Sequence, residues 1–432
     1  MTAVLLLSFP VGTAALALAL ARRLAGAERA LLALAALLLV ASALASPVAP
    51  VHDPWTHYLH LRAALSDPAR LLDPWDRPGF TLLSAGPAAF GIRAARLAAI
   101  ATALVALAAT ARAAAALGLG RPWLAAALLL AQYDFFGEAS STMTELPFAA
   151  ALAIAVLGWA EDRPWVVAAG LGWLAITRPE GPAFAALGAL AILLRWRRAG
   201  PALAAGLPFA LWIATGAVVF GDARWLATHN PYRTLVTVRL DAAELGRSYF
   251  FEALRLSQGP ALALLEIAGA LLAAVGLARR LRFLLAPVLA SFLLLTFLRI
   301  GATDAWRESR YLVAIGPALA LLATASLERA LAARPRLAPP LLLAASALAA
   351  AWTTCWHWGQ IGAWRGGLLE TLASAGLALA ALLWLVRRRV SPAVATCALL
   401  LLPLVAVPPG ILSRHRADVP PGDPTTRSAE PP

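Results

Sequence analysis

The sequence predicts an all-α, polytopic membrane protein with about 14 transmembrane helices, and external loops that carry short amphipathic helices. Two observations lead to this fold class. Hydrophobic residues make up 61% of the 432 residues and charged residues only 14%, a balance that leaves a soluble protein of this length without enough polar surface. Apolar runs of about 15 to 20 residues also recur from one end of the chain to the other, as in helices that cross a bilayer.

Charged and loop-forming residues bound each apolar run and define the predicted elements in order. The first run precedes Arg22 and Arg23 instead of following a basic segment, so we interpret it as a retained helix and not as a signal peptide. The tail from residue 413 is rich in Pro, Asp and Thr and is predicted to be disordered. The predicted spans are 2–21, 29–47, 92–111, 122–134, 144–160, 165–177, 182–196, 201–220, 260–278, 283–299, 312–329, 339–354, 367–386 and 391–410.

The distribution of arginine predicts the topology. Short arginine-bearing connections alternate with longer mixed ones, and by the positive-inside rule the short set is cytoplasmic. The N-terminus then begins outside. The protein is predicted to lie in the cytoplasmic (inner) membrane of a bacterium, because abundant Ala and Arg without Lys suggest a GC-rich bacterial genome. The predicted external segments are 48–91, 135–143, 178–181, 221–259, 300–311, 355–366 and the tail.

This topology excludes several classes of function. The arginines are spread between helices and do not form one basic patch, so nucleic acid is not a predicted partner. No cytoplasmic connection exceeds about a dozen residues, which leaves no room for a nucleotide-binding domain there. All six histidines fall in external segments. An enzyme of this design would act at the outer face on an activated substrate that the membrane itself supplies, carried on a lipid.

The first external loop carries the densest polar cluster. Asp53 precedes Pro54 and fits either a helix N-cap or a general base that takes a proton from an attacking hydroxyl. Asp53, His57 and His60 can share one helix face, which permits a metal site. The same spacing suits interfacial histidines beside aromatic anchors. No cofactor is therefore firmly predicted, and a divalent metal stays an alternative.

Three other external segments supply candidate residues. Thr142 with Glu145, and Thr177 with Glu180, fit helix capping boxes. Arg178 at the membrane edge can snorkel or bind a substrate phosphate. The external arginines before span eleven run against the positive-inside trend and can either snorkel to the interface or grip a phosphate. The candidate residues before span eleven are Arg307, Glu308, Arg310 and Tyr311. The loop 221–259 adds His229 and Arg233.

Four motifs occur in a fixed order: an acidic first external loop, Thr144-Glu145-Leu146-Pro147, Arg178-Pro179-Glu180-Gly181 and Glu308-Ser309-Arg310-Tyr311-Leu312. Together they resemble the GT-C superfamily of integral-membrane glycosyltransferases, nearest to the protein and lipid mannosyltransferases and the bacterial aminoarabinose and Rgt-type transferases. The resemblance covers residues 29–330 as a catalytic membrane domain. It leaves residues 1–28 as an extra N-terminal helix, residues 331–412 as C-terminal helices and residues 413–432 as a tail.

The resemblance implies an inverting glycosyltransferase of the cell envelope, a hexosyl- or pentosyltransferase. Its donor would be a polyprenyl-phosphate sugar and its acceptor a lipid, a protein or a polysaccharide. By match, Asp53 is the catalytic carboxylate. Arg310 and Tyr311 lie near the donor phosphate, with Arg178 or Arg307 assisting. The residues expected to bind substrate are His52, His57, Glu145, Glu180, Glu308, His229 and Arg233.

Two alternatives remain open from the sequence. An O-antigen ligase or polymerase would place its site on the loop 221–259 and depend on His229 or Arg233. A transporter or lipid flippase would need ionisable groups buried along a path through the membrane. Glu266, predicted near a helix mouth, is the clearest such group.

Overall fold

A computed structural model describes residues 2–45, 52–229, 260–299 and 309–333. The described ranges contain helices and no β-strand, which confirms the all-α class. Three 3-10 segments lie at Pro68–Leu72, Arg279–Leu284 and Ser309–Ile315. The α-helices in chain order are α1 Thr2–Arg22, α2 Gly26–Ala45, α3 His52–Ser66, α4 Arg77–Ala88, α5 Ile92–Ala116, α6 Pro122–Leu130, α7 Tyr133–Glu138, α8 Glu145–Ala160, α9 Pro164–Ala175, α10 Gly181–Trp196, α11 Ala199–Phe220, α12 Trp225–Thr228, α13 Pro260–Ala274, α14 Leu285–Arg299 and α15 Gly316–Ala333.

A helix lies at each of the first eleven predicted spans, and the last three spans lie outside the described residues. Four described helical stretches are long and apolar enough to cross a membrane: Gly26–Leu44, Ile92–Ala116, Ala199–Phe220 and Arg310–Ala333. Leu262–Ala274 and Arg279–Leu294 form a fifth such span only as a pair bent by 114°. The described chain is thus a multi-pass helical membrane protein with fewer full-length spans than predicted.

Helix α5 lies at the centre of the bundle, where it packs against α1, α2, α4, α6 and α8. Its buried face is built largely of alanine, and small side chains let helix backbones approach closely in a membrane. Helices α13 and α15 approach each other closely at Gly269, where an added Cβ would lie 2.0 Å from the carbonyl oxygen of Leu322. Because α1 packs against both α4 and α5, residues 1–28 are joined to the bundle. The predicted domain boundaries stay predictions.

The two sets of connections lie at opposite ends of the helices. At one end, Arg112 pairs with Glu161, and Arg195 lies 3.0 Å from Asp162. At the other end lie the start of α8, the turn between α9 and α10, and the 3-10 segment Ser309–Ile315. Helix α3 and the start of α4 also pack at this second end. The described chain therefore separates the arginine-bearing connections from the candidate site residues, as the alternation of charge predicts.

Candidate active site

Two groups of polar side chains meet at the second end of the bundle. We call the first the arginine–carboxylate network, and we call the second the histidine–aspartate cluster. The network consists of Asp53, Glu145, Arg178, Glu180 and Arg310, and the cluster of His57, His60, Asp73 and Asp76.

Arg178 lies at the buried side of the network. Its Nη1 is 2.7 Å from Oε1 of Glu145, its Nε donates to Oε1 of Glu180 at 2.5 Å, and Nη1 also donates to the Thr144 hydroxyl at 3.0 Å. Burial alone would lower the pKa of Arg178, but Glu145 and Glu180 outweigh that effect and raise it. Arg178 is therefore a permanent cation held by two carboxylates, and its side chain is only 7% exposed.

Arg310 links the buried side of the network to its open side. Its Nη2 donates to Oδ2 of Asp53 at 2.6 Å, and its Nε lies 3.7 Å from Oε1 of Glu145. The Tyr311 ring lies beside both guanidinium groups, at 5.7 Å from Cζ of Arg310 and 5.1 Å from Cζ of Arg178. Glu145 thus contacts two cations at once. This arrangement lets the arginines lie close together without a net repulsion between them.

Asp53 occupies the open side of the network. It lies in the first turn of α3 and its side chain is 40% exposed. The Thr142 hydroxyl donates to the carbonyl of Pro54 at 2.5 Å, which ties the start of α3 to the loop before α8. An accessible carboxylate on a tethered helix start has the geometry that a general base needs, because it can meet an incoming hydroxyl without itself moving far.

Both predicted capping boxes are wrong. Helix α8 begins at Glu145 after Thr144, and α10 begins at Gly181 after Glu180, in each case without a side-chain cap bond. Thr142 donates to Pro54, and the Thr177 hydroxyl donates to the carbonyl of Trp173 at 2.7 Å. The physical reason is competition, since Glu145 and Glu180 are both engaged by Arg178.

The histidine–aspartate cluster is centred on Asp76. Nδ1 of His57 bonds to one of its carboxylate oxygens, and Nδ1 of His60 lies 2.6 Å from the other. Burial would raise the pKa of Asp76, but the hydrogen bonds from the two imidazoles prevail and lower it. The hydrogen bond to Asp76 raises the pKa of His60. Asp76 is therefore ionised and each histidine donates its Nδ1–H to it.

His60, Asp73 and Asp76 could hold a metal ion. One ligand atom from each lies within 4.8 Å of the others, and one imidazole with two carboxylates is a donor set that suits borderline divalent cations. The remaining carboxylate oxygens are supported, because Asp73 accepts from the backbone N–H of Trp75 at 2.8 Å and Asp76 accepts from His57. This set differs from the combination of Asp53, His57 and His60 that the spacing suggested, since Asp53 pairs with Arg310.

A shared helix and a backbone contact hold the network and the cluster in a fixed position relative to each other. Asp53 and His57 lie one turn apart on α3. The N–H of Gly79, in the first turn of α4 after Asp76, donates to the carbonyl of Ile176 at 2.9 Å, immediately before the turn that carries Arg178. A Cβ at position 79 would lie 2.4 Å from Oγ1 of Thr177. Glycine is what permits this close contact between the two groups.

Of the remaining predicted residues, His229 is the one whose side chain the structure describes, and its described contacts are with other groups. His52 is the first residue of α3. His229 stacks on Phe220 with ring centroids 4.5 Å apart, and its Nδ1 lies 3.1 Å from the carbonyl of Trp225. Three further candidates lie outside the described residues, namely Arg233, Arg307 and Glu308.

Glu266 lies in the middle of α13 and not near a helix mouth, so that placement is corrected. It is 1% exposed, and Nε2 of Gln132 donates to its Oε1 at 3.4 Å. Nε2 of Gln132 also donates to the carbonyl of Gly316 at 3.1 Å, at the start of α15. A buried acid in a membrane helix is a reasonable functional candidate, but one such group does not form a transport path.

The site residues predicted from the sequence do not include Asp73, Asp76 or Arg77. Asp76 is 2% exposed and Arg77 is 6% exposed, and Cζ of Arg77 lies 5.2 Å from the Trp212 ring. The available clue was the dense run Asp73-Pro74-Trp75-Asp76-Arg77 in the same external loop as Asp53. Its carboxylates had a ready alternative explanation as turn and cap formers, and this explanation does hold for Asp73.

No family model matches the chain, and no curated protein matches it. Two solved structures of ArnT from Cupriavidus metallidurans share its fold. The apo structure is 15% identical with a TM-score of 0.61 and covers 89% of this chain and 76% of ArnT. The structure bound to undecaprenyl phosphate is 16% identical with a TM-score of 0.61 and covers 90% of this chain and 77% of ArnT. This shared fold agrees with the predicted resemblance to the GT-C superfamily and extends no further than the fold.

Proposed function

We propose that this chain is an inverting glycosyltransferase that moves a hexosyl or pentosyl group from a polyprenyl-phosphate donor to an acceptor at the outer face of the membrane. The observation that carries the proposal is the ion pair between Asp53 and Arg310, at the open side of the arginine–carboxylate network. The fold shared with ArnT supports it, and the undecaprenyl phosphate bound to ArnT suggests the class of lipid carrier.

In the proposed reaction Asp53 is the general base. An acceptor hydroxyl gives its proton to Asp53 while its oxygen attacks the anomeric carbon from the face opposite the phosphate. The bond between the anomeric carbon and the phosphate oxygen breaks, so the sugar is inverted and the lipid phosphate leaves with an additional negative charge. The 40% exposure of the Asp53 side chain supports its access to an acceptor from outside the bundle.

Arg310 is the proposed ligand of the departing phosphate. It is bound to Asp53 before the reaction, and protonation of Asp53 removes the negative charge that holds it. The cation therefore becomes available in the same step in which the phosphate gains charge, and electrostatic stabilisation at that point lowers the barrier. Tyr311 lies beside the guanidinium and helps to orient it.

Arg178 has a different proposed task. Its Nη1 and Nε contact Glu145, Glu180 and Thr144, and its side chain is only 7% exposed, so it is less accessible to a phosphate than Arg310. We assign it to holding Glu145, which in turn contacts Arg310. His57 and His60 hold α3 in place through their bonds to Asp76. The proposed acceptor is a lipid, a protein or a polysaccharide. The predicted ligase alternative would use His229, whose described ring contact is the stack on Phe220.

The direct test is sugar transfer from radiolabelled polyprenyl-phosphate sugars by protein purified in detergent. Wild type would be compared with Asp53→Asn and with Asp67→Asn. Asp67 is a matched control because it caps the adjacent 3-10 segment through Ala69, a bond that asparagine can also make. We expect Asp53→Asn to lose about a hundredfold or more in turnover, while Asp67→Asn stays near wild type. Equal turnover by folded Asp53→Asn and wild type would overturn the assignment of Asp53.

A further inference from the structure

An apolar groove of about 250 Å³ lies between α8, α9, α10 and the start of α14. We call it the arginine-rimmed groove. It opens to the outside of the bundle along α10, where Leu187 is 51% exposed and the neighbouring Leu190 is 52% exposed. All of its lining side chains are apolar, among them Val156, Leu171, Phe184, Leu187, Ala191 and Ala290. A groove of this composition is suited to a hydrocarbon chain.

The mouth of the groove lies far from the candidate active site. Trp159, at its end, follows Glu145 by fourteen residues on α8, which is about 21 Å along a helix axis. In the predicted topology this is the cytoplasmic side of the membrane. The mouth of the groove is therefore a second site, which is independent of the proposed glycosyl transfer.

Aromatic side chains join two runs of arginine at the mouth of the groove. The ring of Trp159 packs 4.9 Å from Trp196, at the end of α10, and stacks 5.4 Å from Phe283. Tryptophan at this depth is typical of the boundary between acyl chains and headgroups. Trp196 lies within one run of exposed arginines, which are Arg195, Arg197 and Arg198. Phe283 directly follows the other run, which is Arg279, Arg280 and Arg282.

The described acids around this mouth do not balance the six arginines. Asp162 pairs with Arg195 at 3.0 Å, and Glu161 pairs with Arg112. The ion pair of Asp162 is exposed, so it is weak and open to exchange with another anion. A strong excess of positive charge thus rims an apolar groove on the outside of the described bundle.

We propose that the arginine-rimmed groove binds an anionic phospholipid of the cytoplasmic leaflet. Its phosphate would lie among the two arginine runs and one acyl chain would enter the groove past Trp159. Basic pockets between helices on the cytoplasmic side bind anionic headgroups by this combination of charge and apolar contact. A water-soluble phosphate compound fits less well, because it would leave the apolar lining without a partner.

The test is native mass spectrometry of the delipidated full-length protein, titrated with phosphatidylglycerol and with phosphatidylcholine. The first variant is Arg198→Gln/Arg279→Gln, which removes one arginine from each run. Each arginine near a membrane surface contributes a several-fold factor in affinity, so we expect the double variant to weaken phosphatidylglycerol binding ~30-fold. Phosphatidylcholine binding should change little. The second variant, Ala191→Phe, fills the groove and should weaken both lipids.

Two controls match these variants. Arg22→Gln/Arg23→Gln removes the same charge from the same predicted face at the end of α1, and Leu190→Phe places the same ring on the exposed surface one residue away. Neither should change the preference for phosphatidylglycerol. Equal binding of the two lipids to wild type, or unchanged binding in Ala191→Phe, would overturn the proposal. The second result is also what a protein segment filling the groove would produce.

Discussion

Nη2 of Arg310 lies 2.6 Å from Oδ2 of Asp53, and this ion pair joins residues 257 positions apart in the chain. Asp53 comes from the helix of the first external loop and Arg310 from the 3-10 segment before α15. The carboxylate is the more accessible partner, with 40% of its side chain exposed against 11% for Arg310. The pair therefore places a candidate base and a candidate phosphate ligand at one opening.

Replacing Arg310 should reduce turnover strongly without unfolding the protein. If Arg310 stabilises the departing phosphate, Arg310→Gln should lower kcat about 10²- to 10³-fold, the usual cost of losing one donor to developing charge. Arg310→Lys should recover part of the loss, because it keeps the charge but not the two-pronged geometry. Initial rates with a polyprenyl-phosphate sugar measure both variants. Arg62→Gln is the control, an exposed arginine on α3, and an Arg310→Gln enzyme with wild-type kcat would exclude the role.

Glu145→Gln should destabilise the fold more than loss of a surface charge does. The substitution leaves the buried Arg178 with one carboxylate fewer, and breaking a buried pair from one side costs about 3–5 kcal/mol. Glu145→Gln/Arg178→Gln should recover part of this cost, because the uncompensated cation is gone. Thermal unfolding in detergent provides the measurement. Asp162→Asn is the control, because Asp162 is 67% exposed in its ion pair with Arg195. This variant should shift stability by less than about 1 kcal/mol. An equal effect of Glu145→Gln and Asp162→Asn would contradict the prediction.

The sequence was sufficient to place the network residues at one end of the bundle. The alternation of charge predicts Asp53, Arg178 and Arg310 in external segments, and it predicts Glu145 and Glu180 at helix mouths on the same side. Segments on one side of a membrane share a thin layer, so residues distant in sequence have few places to lie. The alternation of charge therefore indicates which residues can come into contact. The structure adds that these five residues form one set of ion pairs.

The choice of partners could not be read from spacing. Asp53 and His57 are correctly placed to share a face of α3, but Asp53 pairs with Arg310 and His57 with Asp76. Likewise Thr142 has the spacing of a capping residue and donates instead to Pro54. The spacing of residues on a helix shows which bonds are geometrically possible. Contacts between residues far apart in the sequence then decide which of these bonds form. The omission of Asp76 has the same origin, because its partners lie 16 and 19 residues away.

The histidine–aspartate cluster should make stability depend on pH in a bell-shaped manner. The lowered pKa of Asp76 stabilises the fold above 3.8, and this contribution is lost as pH falls through the folded-state value. The raised pKa of His60 stabilises the fold below 6.5, and this contribution is lost as pH rises through the folded-state value. Both contributions are fully present between 3.8 and 6.5.

Comparison of Tm for wild type and Asp76→Asn across pH 3 to 9 isolates this effect, because asparagine cannot titrate. The difference in Tm should be largest within the window from 3.8 to 6.5 and should shrink on both sides. Asp73→Asn is a less sensitive control, since Asp73 lies 3.8 Å from His60. A difference that is constant over the whole range would show that the cluster contributes through shape alone.

Gly269→Ala should destabilise the bundle, whereas the same change at Gly206 should not. At Gly269 the new Cβ would lie 2.0 Å from the carbonyl oxygen of Leu322 on α15, and since that atom belongs to a helix backbone the two helices must separate. Overpacking of this kind costs about 1–3 kcal/mol. At Gly206, within α11, a Cβ meets no other heavy atom within 4 Å, and alanine is favoured over glycine in a helix by about 0.5–1 kcal/mol. Thermal unfolding should thus move in opposite directions for the two variants. Equal Tm values would mean that α13 and α15 do not pack as closely as described, and would remove the contact that holds α13 against the helix following Arg310.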